Sequence, residues 1–223
     1  MSLKDLVSDP AWLFDLGFSV RRWPGTVDPS SPASWQLGDA YRLPAVKSLS
    51  GDEDASGSWM AWSDREILLQ VHLPQANPAS SLNTNISLDF YIDTRSSPGI
   101  HRANAYCHLF QLRFRQPAAI PLENAPADVR PGLISRAKGF PIYARANEVR
   151  GWLSASRSRL EMKMTLPYTS LAGCDPVEFP EWGVAWVASD GRKRYELARN
   201  SLSVPVDDPS LWCRARLVET SDA

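Results

Sequence analysis

A chain of 223 residues, 43% of them hydrophobic, has the length and apolar content to build its own core. At this size a domain buries roughly 70% of the surface its unfolded form exposes, so neither disulfides nor a metal are required for stability. A formal net charge of −1 leaves no global attraction to nucleic acid or to an anionic membrane, and neither is expected as a partner.

Taken in chain order, residues 1–20 read as an N-terminal arm. Within it Asp9-Pro10 before AWLFDL provides a cap and a first-turn proline for one short helix. SWMAW and EILLQVHL follow as strands, with Ser63-Asp64-Arg65-Glu66 as the tight connection between them. NISLDFYID alternates strictly: Ile86, Leu88, Phe90 and Ile92 face one way, and Ser87, Asp89, Tyr91 and Asp93 the other. CHLFQLRF is strand-like. The stretch 116–141 has no period and holds five prolines, so it reads as a long loop. SRLEMKMTL alternates again, setting Leu160, Met162, Met164 and Leu166 against Arg159, Glu161, Lys163 and Thr165. Leu166 to Leu171 suggests one helical turn. WGVAWVA is rich in β-branched and aromatic residues, and Asp190-Gly191 is a hairpin turn leading into RKRYELA, whose charged start suits an edge strand. About nine short strands in one domain spanning 1–223 predict an all-β, two-sheet antiparallel sandwich of jelly-roll type, with Leu88, Phe90, Leu160, Met162 and Trp186 between the sheets.

The order of several segments resembles the family 9 carbohydrate-binding modules and their wider DOMON-like relatives. SWMAWSDREILLQVHL matches a Trp-containing strand, a tight turn and an apolar strand. NISLDFYIDTR matches an alternating strand ending in an acid, LEMKMTLPYTSL a strand running into Pro and a Leu-bearing turn, and WGVAWVASD a Gly-containing strand leading to an acid. The resemblance covers roughly Trp35 to Val218. It implies a β-sandwich that binds sugars or haem. The stretch before the alternating strand, PASSLNTN, lacks the aromatic that sugar-binding members carry there, and IHRANAYCHLF after it is unlike the usual modules.

The densest polar group is Asp93, Arg95, His101, Arg102, Cys107 and His108, within sixteen residues where one strand leaves the sheet and the next returns. Arginine and histidine offer directed donors to sugar hydroxyls, carboxylates or phosphates. This segment is therefore the predicted ligand site, with Trp182 and Trp186, four apart on one strand, as either an aromatic platform or core. His-x5-Cys-His is not a recognised metal loop, and adjacent Cys107 and His108 point to opposite faces, so no metal is expected. The acidic turn Asp52-Glu53-Asp54-Ala55-Ser56-Gly57 lacks the twelfth-position acid of a calcium loop, since Ser63 stands there. His72, His108, Met162 and Met164 could be haem ligands, but alternating methionines on an apolar face are core filler, and no cofactor is predicted. Asn85-Ile86-Ser87 is a glycosylation sequon inside a strand.

Cys107, Cys174 and Cys213 are odd in number without repeated spacing, which predicts reduced thiols. Asp5, Asp9 and Asp15 fall where a signal peptide would be apolar, and no apolar run approaches the ~20 residues of a membrane span. The expectation is a cytoplasmic protein; nothing in the sequence indicates an oligomeric state. There is no G-x-S-x-G, H-E-x-x-H, phosphate loop or Rossmann glycine pattern. A non-catalytic domain binding a sugar or glycan is the leading reading. Its rivals are a small hydrolase or isomerase using His101, His108 and Asp93, and a protein-interaction module with no small ligand.

Overall fold

The computed structural model describes residues 17–28, 31, 35–44, 57–74, 86–97, 99–114, 122–143, 145–156, 158–190, 193–197 and 207–220. The expected N-terminal helix, the acidic turn at 52–56, Asn85, Gly191 and Arg192 lie outside them. The described residues form eleven strands: β1 (Gly17–Arg22), β2 (Gly57–Trp62), β3 (Glu66–Pro74), β4 (Ile86–Asp93), β5 (Cys107–Phe114), β6 (Leu122–Pro131), β7 (Arg150–Ala155), β8 (Arg159–Pro167), β9 (Glu181–Ser189), β10 (Arg194–Leu197) and β11 (Cys213–Val218). The helical elements among them are short 3-10 turns, one of them Tyr168–Ser170.

These strands make an all-β sandwich, and the alternation read from the sequence is what sets its interior. Leu88, Phe90, Leu160, Met162 and Trp186 all lie in the principal buried cluster, joined by buried residues of every strand but β6, whose Leu122, Ala125, Ala127 and Val129 pack against it partly buried. Trp59 and Trp62 part company as alternation requires. Trp62 enters the main cluster, and Trp59 lies on the outer face with its ring 4.4 Å from that of His72. The β2–β3 turn closes as read, Ser63 N–H donating to Glu66 O at 2.9 Å.

Hydrogen bonding runs β9–β11–β1–β2–β3–β8–β7–β6–β5–β4 and back to β9, so the two layers join at both margins into a closed circuit, with β10 on the outer half of β9. Closure removes most free edges. Pairing is antiparallel except at β1, which runs parallel to both β2 and β11.

The proline-rich stretch 116–141 is corrected in its middle: Leu122–Pro131 is a strand, not loop. A central strand cannot accept proline, because proline donates no ladder bond. β6 avoids the conflict by pairing on one side at a time. Leu122 to Ala127 pairs with β7, Asp128 to Pro131 pairs with β5, and a register shift between Leu122 and Ala125 includes Asn124 in a left-handed conformation. Ser154 secures this irregularity, accepting from Asn124 N–H and donating to its side-chain oxygen.

Strand direction collects the ends that matter for function. The turn after β4, the start of β5, the segment after β6, the segment before β9 and the exit of β11 all emerge at one end of the sandwich. There a second buried cluster, including Tyr91, Leu109, Ile134, Ala185 and Trp212, covers part of the outer face of β4, β5 and β9. All three cysteines are free thiols. Titration of the denatured, unreduced protein should count three, and a count of one would reveal an internal disulfide.

Candidate functional site

The loop after β4 forms around Asp93, whose carboxylate accepts N–H bonds from Arg95 and Ser97, each at 3.0 Å. Asp93 is buried, and burial raises its pKa against the opposing pull of those two bonds and of Arg95. Arg95 does not pair with a ligand-facing acid. Its guanidinium lies 3.3 Å over the Phe179 ring and 5.2 Å from that of Tyr106, and its Nε makes no hydrogen bond. Cys107 is buried on the outer side and donates to Asn104 Oδ1, and burial pushes its thiol up to about 12. His108 is fully buried on the inner side, stacked on Phe110 and edge-on to Tyr143. Its Nε2 donates to Ala172 O at 3.3 Å, Nδ1 has no partner, and burial lowers its pKa to about 4.

His101 and Arg102 are exposed at the rim. His101 Nδ1 lies 3.1 Å from both Asp208 Oδ2 and Ser210 Oγ, and Arg102 Nε donates to Arg136 O at 2.7 Å. The three polar groups resemble a hydrolytic triad in composition only. A triad needs acid and nucleophile on opposite ring nitrogens, whereas both partners here meet the same Nδ1 and Ser210 already donates to Asp208. Asp93, His101 and His108 do not meet either: the first and last are buried on backbone partners, and His101 is exposed at the rim on Asp208 and Ser210. Trp182 and Trp186 are core, which corrects the platform alternative: neither ring has a face open to a ligand. Trp182 Nε1 donates to Phe179 O, and Trp186 packs in the main cluster. Met162 and Met164 are likewise core. Among the described residues no group of three or more His, Cys, Asp or Glu is arranged to hold a metal ion.

The structure assembles a different polar array on the outer face of β4 and β5, beside the covered part. Asp89 is an outward residue of the alternating β4, set opposite Gln111 of β5 and Val187 of β9. Gln111 Nε2 donates to Asp89 Oδ1 at 3.2 Å, and Arg113 Nη1 lies 2.6 Å from the same oxygen. All three side chains are half-exposed. Tyr91 continues the row, its hydroxyl pKa driven up by burial and then by the charges of Asp89 and Asp207. Burial also raises Asp207, with Arg136 and Arg194 opposing that rise and Asp89 adding to it. Residues distant in sequence thus meet over one floor: two carboxylates, an amide and arginines from β5, β10 and the 132–143 segment. The sequence marked Asp89 as outward-facing and Arg194 as part of a charged edge; Gln111, Arg113, Arg136 and Asp207 went unmarked because no local pattern joins them.

A groove of about 510 Å³ at the strand-end side is lined by Arg22, Trp23, Asp64, Arg65, Glu66 and Glu219 among others. Arg22 already bridges Asp64 and Glu219 across it. These ion pairs tie the β2–β3 turn to the end of β11.

No protein-family pattern matches the chain, and no curated protein matches it in sequence. Solved structures do match in shape. A family 9 carbohydrate-binding module from Caldicellulosiruptor kristjanssonii in complex with glucose superposes with a TM-score of 0.54 at 12% identity, over 93% of this chain and 98% of that one. One from the same organism in complex with cellotriose gives 0.53 at 10% identity, over 92% and 95%. A Bacteroides uniformis protein proposed to bind carbohydrate gives 0.52 at 13% identity, over 92% and 100%. Over nearly its whole length, this chain has the fold of the family 9 carbohydrate-binding modules.

Proposed function

We propose that the protein is a non-catalytic carbohydrate-binding domain whose ligand lies on the outer face of β4 and β5, against Asp89, Gln111 and Arg113. The observation that carries this reading is the half-exposed Asp89–Gln111–Arg113 array, a carboxylate acceptor, an amide and a guanidinium donor on rigid strands. Sugar hydroxyls both donate and accept, so they are matched by alternating acceptors and donors rather than by one charge. Strand-borne groups lose little freedom on binding, which keeps the entropic cost low. The likeness in fold to modules solved with glucose and cellotriose supports the ligand class. Binding here needs neither a cofactor nor proton transfer.

A glycan array that includes glucose and cello-oligosaccharides tests the reading. The wild type is expected to bind at least one saccharide. Asp89→Ala with Arg113→Ala should weaken that binding more than tenfold, because a hydrogen bond to a charged group is worth about 1.5–3 kcal/mol. Both side chains are solvent-facing and leave the core intact, so the melting temperature should stay within a few degrees. His101→Ala with Arg102→Ala is the companion variant. It should bind normally, and loss of binding there with an intact fold would move the site to the loop after β4. Absence of any glycan binding by the wild type would sink the proposal.

A further inference from the structure

The segment between β6 and β7 has a composition unlike the rest of the molecule. Residues 131–150 carry four cations, Arg136, Lys138, Arg145 and Arg150, against the single acid Glu148, a net +3 in a chain whose total is −1. The same segment holds Leu133, Phe140 and Ile142, whose exposures of 75%, 61% and 78% make them three of the five large exposed hydrophobics among the described residues. Ordinary folding leaves apolar residues scattered singly on a surface; three within ten residues of one loop need a reason.

The loop is built rather than slack. The Tyr143 hydroxyl accepts from Leu109 N–H at 3.1 Å and donates to Gly132 O at 3.2 Å, tying the middle of the segment to its start and to β5. Lys138 N–H donates to Ala103 O at 2.7 Å, and Ile134 is buried in the second cluster. Arg102 supports the turn by donating to Arg136 O. Anchored in this way, the segment leaves Leu133, Phe140 and Ile142 exposed while Ile134 is buried and Tyr143 half-buried beside them.

We infer that this loop docks the protein onto an anionic lipid surface, with Leu133, Phe140 and Ile142 entering the interface and Lys138, Arg145 and Arg150 meeting the headgroups. Projecting apolar tips with a cationic collar fit a fluid, negatively charged layer, because no complementary pocket is needed to receive them. Whole-chain charge argues against membrane attraction, but such attraction acts within a Debye length and responds to the local excess. The segment before β9 at this end carries Asp175 and Glu178, so the docking edge is the 131–150 side and not the whole end. The inference does not depend on the sugar reading.

Sedimentation with vesicles tests it. The wild type should pellet with vesicles of phosphatidylcholine containing about a third phosphatidylserine, and poorly with phosphatidylcholine alone. Leu133→Ser, Phe140→Ser and Ile142→Ser combined should weaken the binding by about tenfold or more. Lys138→Gln with Arg145→Gln should weaken it by a similar factor and reduce its sensitivity to salt. All five side chains are exposed, and an unchanged circular dichroism spectrum and melting temperature would exclude misfolding as the cause. A wild type that stays in the supernatant with both vesicle types overturns the inference. So does pelleting that the serine variant retains. Retention on an acidic polypeptide without vesicle binding would also overturn it, in favour of a protein partner.

Discussion

Phe90→Ala is expected to lower folding stability by about 3–5 kcal/mol, the cost of deleting a large buried ring. Phe90 sits at the middle of β4 and is paired across the sheet with Phe110 of β5 on one side and Trp186 of β9 on the other. All three are in the principal cluster. No short neighbour can collapse into the space, so the transfer loss and the cavity add. Phe140→Ala is the control: its ring is exposed, and surface changes of this kind stay within about 0.5 kcal/mol. Urea unfolding of the two variants measures the difference directly. A cost below about 1 kcal/mol for Phe90→Ala would contradict the assigned interior.

The second large effect is on acid stability. Burial holds His108 neutral in the folded protein down to about 4, while in the unfolded chain it titrates near its ordinary 6.5. Between those values the unfolded state binds more protons, so stability falls as pH drops from about 6.5 to about 4, by roughly 3 kcal/mol in all. The contribution is complete above the unfolded value and gone below the folded one. A proton on Nδ1 would have no acceptor, since that atom is buried without a partner. His108→Phe keeps a ring against Phe110 and Tyr143 and removes the titration. It forfeits the bond to Ala172 O, about 1 kcal/mol at neutral pH. The expected signature is a flatter stability–pH curve for the variant between pH 7 and 4. Parallel curves for wild type and variant would show that His108 does not carry the effect.

Much of the fold was legible in the chain itself. A strand repeats every two residues, so the alternation in β4 and β8 assigned Leu88, Phe90, Leu160 and Met162 to a common interior, and they occupy it. The Ser63–Glu66 connection was legible because a tight turn is a local event. The order of segments sufficed for the sandwich and its likeness to the family 9 modules. β6 was not legible. Proline forbids a strand paired on both sides, and only the tertiary arrangement makes each half of β6 pair on one.

The site divides the same way. Periodicity established that Trp182 and Trp186 share a face and that Cys107 and His108 do not, but it carries no information on which faces are covered. The second cluster covers the outer side of β4, β5 and β9 near Cys107, so Cys107 and His108 are both buried despite pointing apart. Asp89 could be seen to face outward. That Arg113, Arg194 and Asp207 come to bear on the same floor was decided by pairing β4 not only with its neighbour β5 but also with β9, a strand far along the chain. Local pattern determines which way a side chain points along its own strand. Which strands become neighbours depends on burial summed over the whole interior, and a polar array assembled across them exists only once that interior has closed.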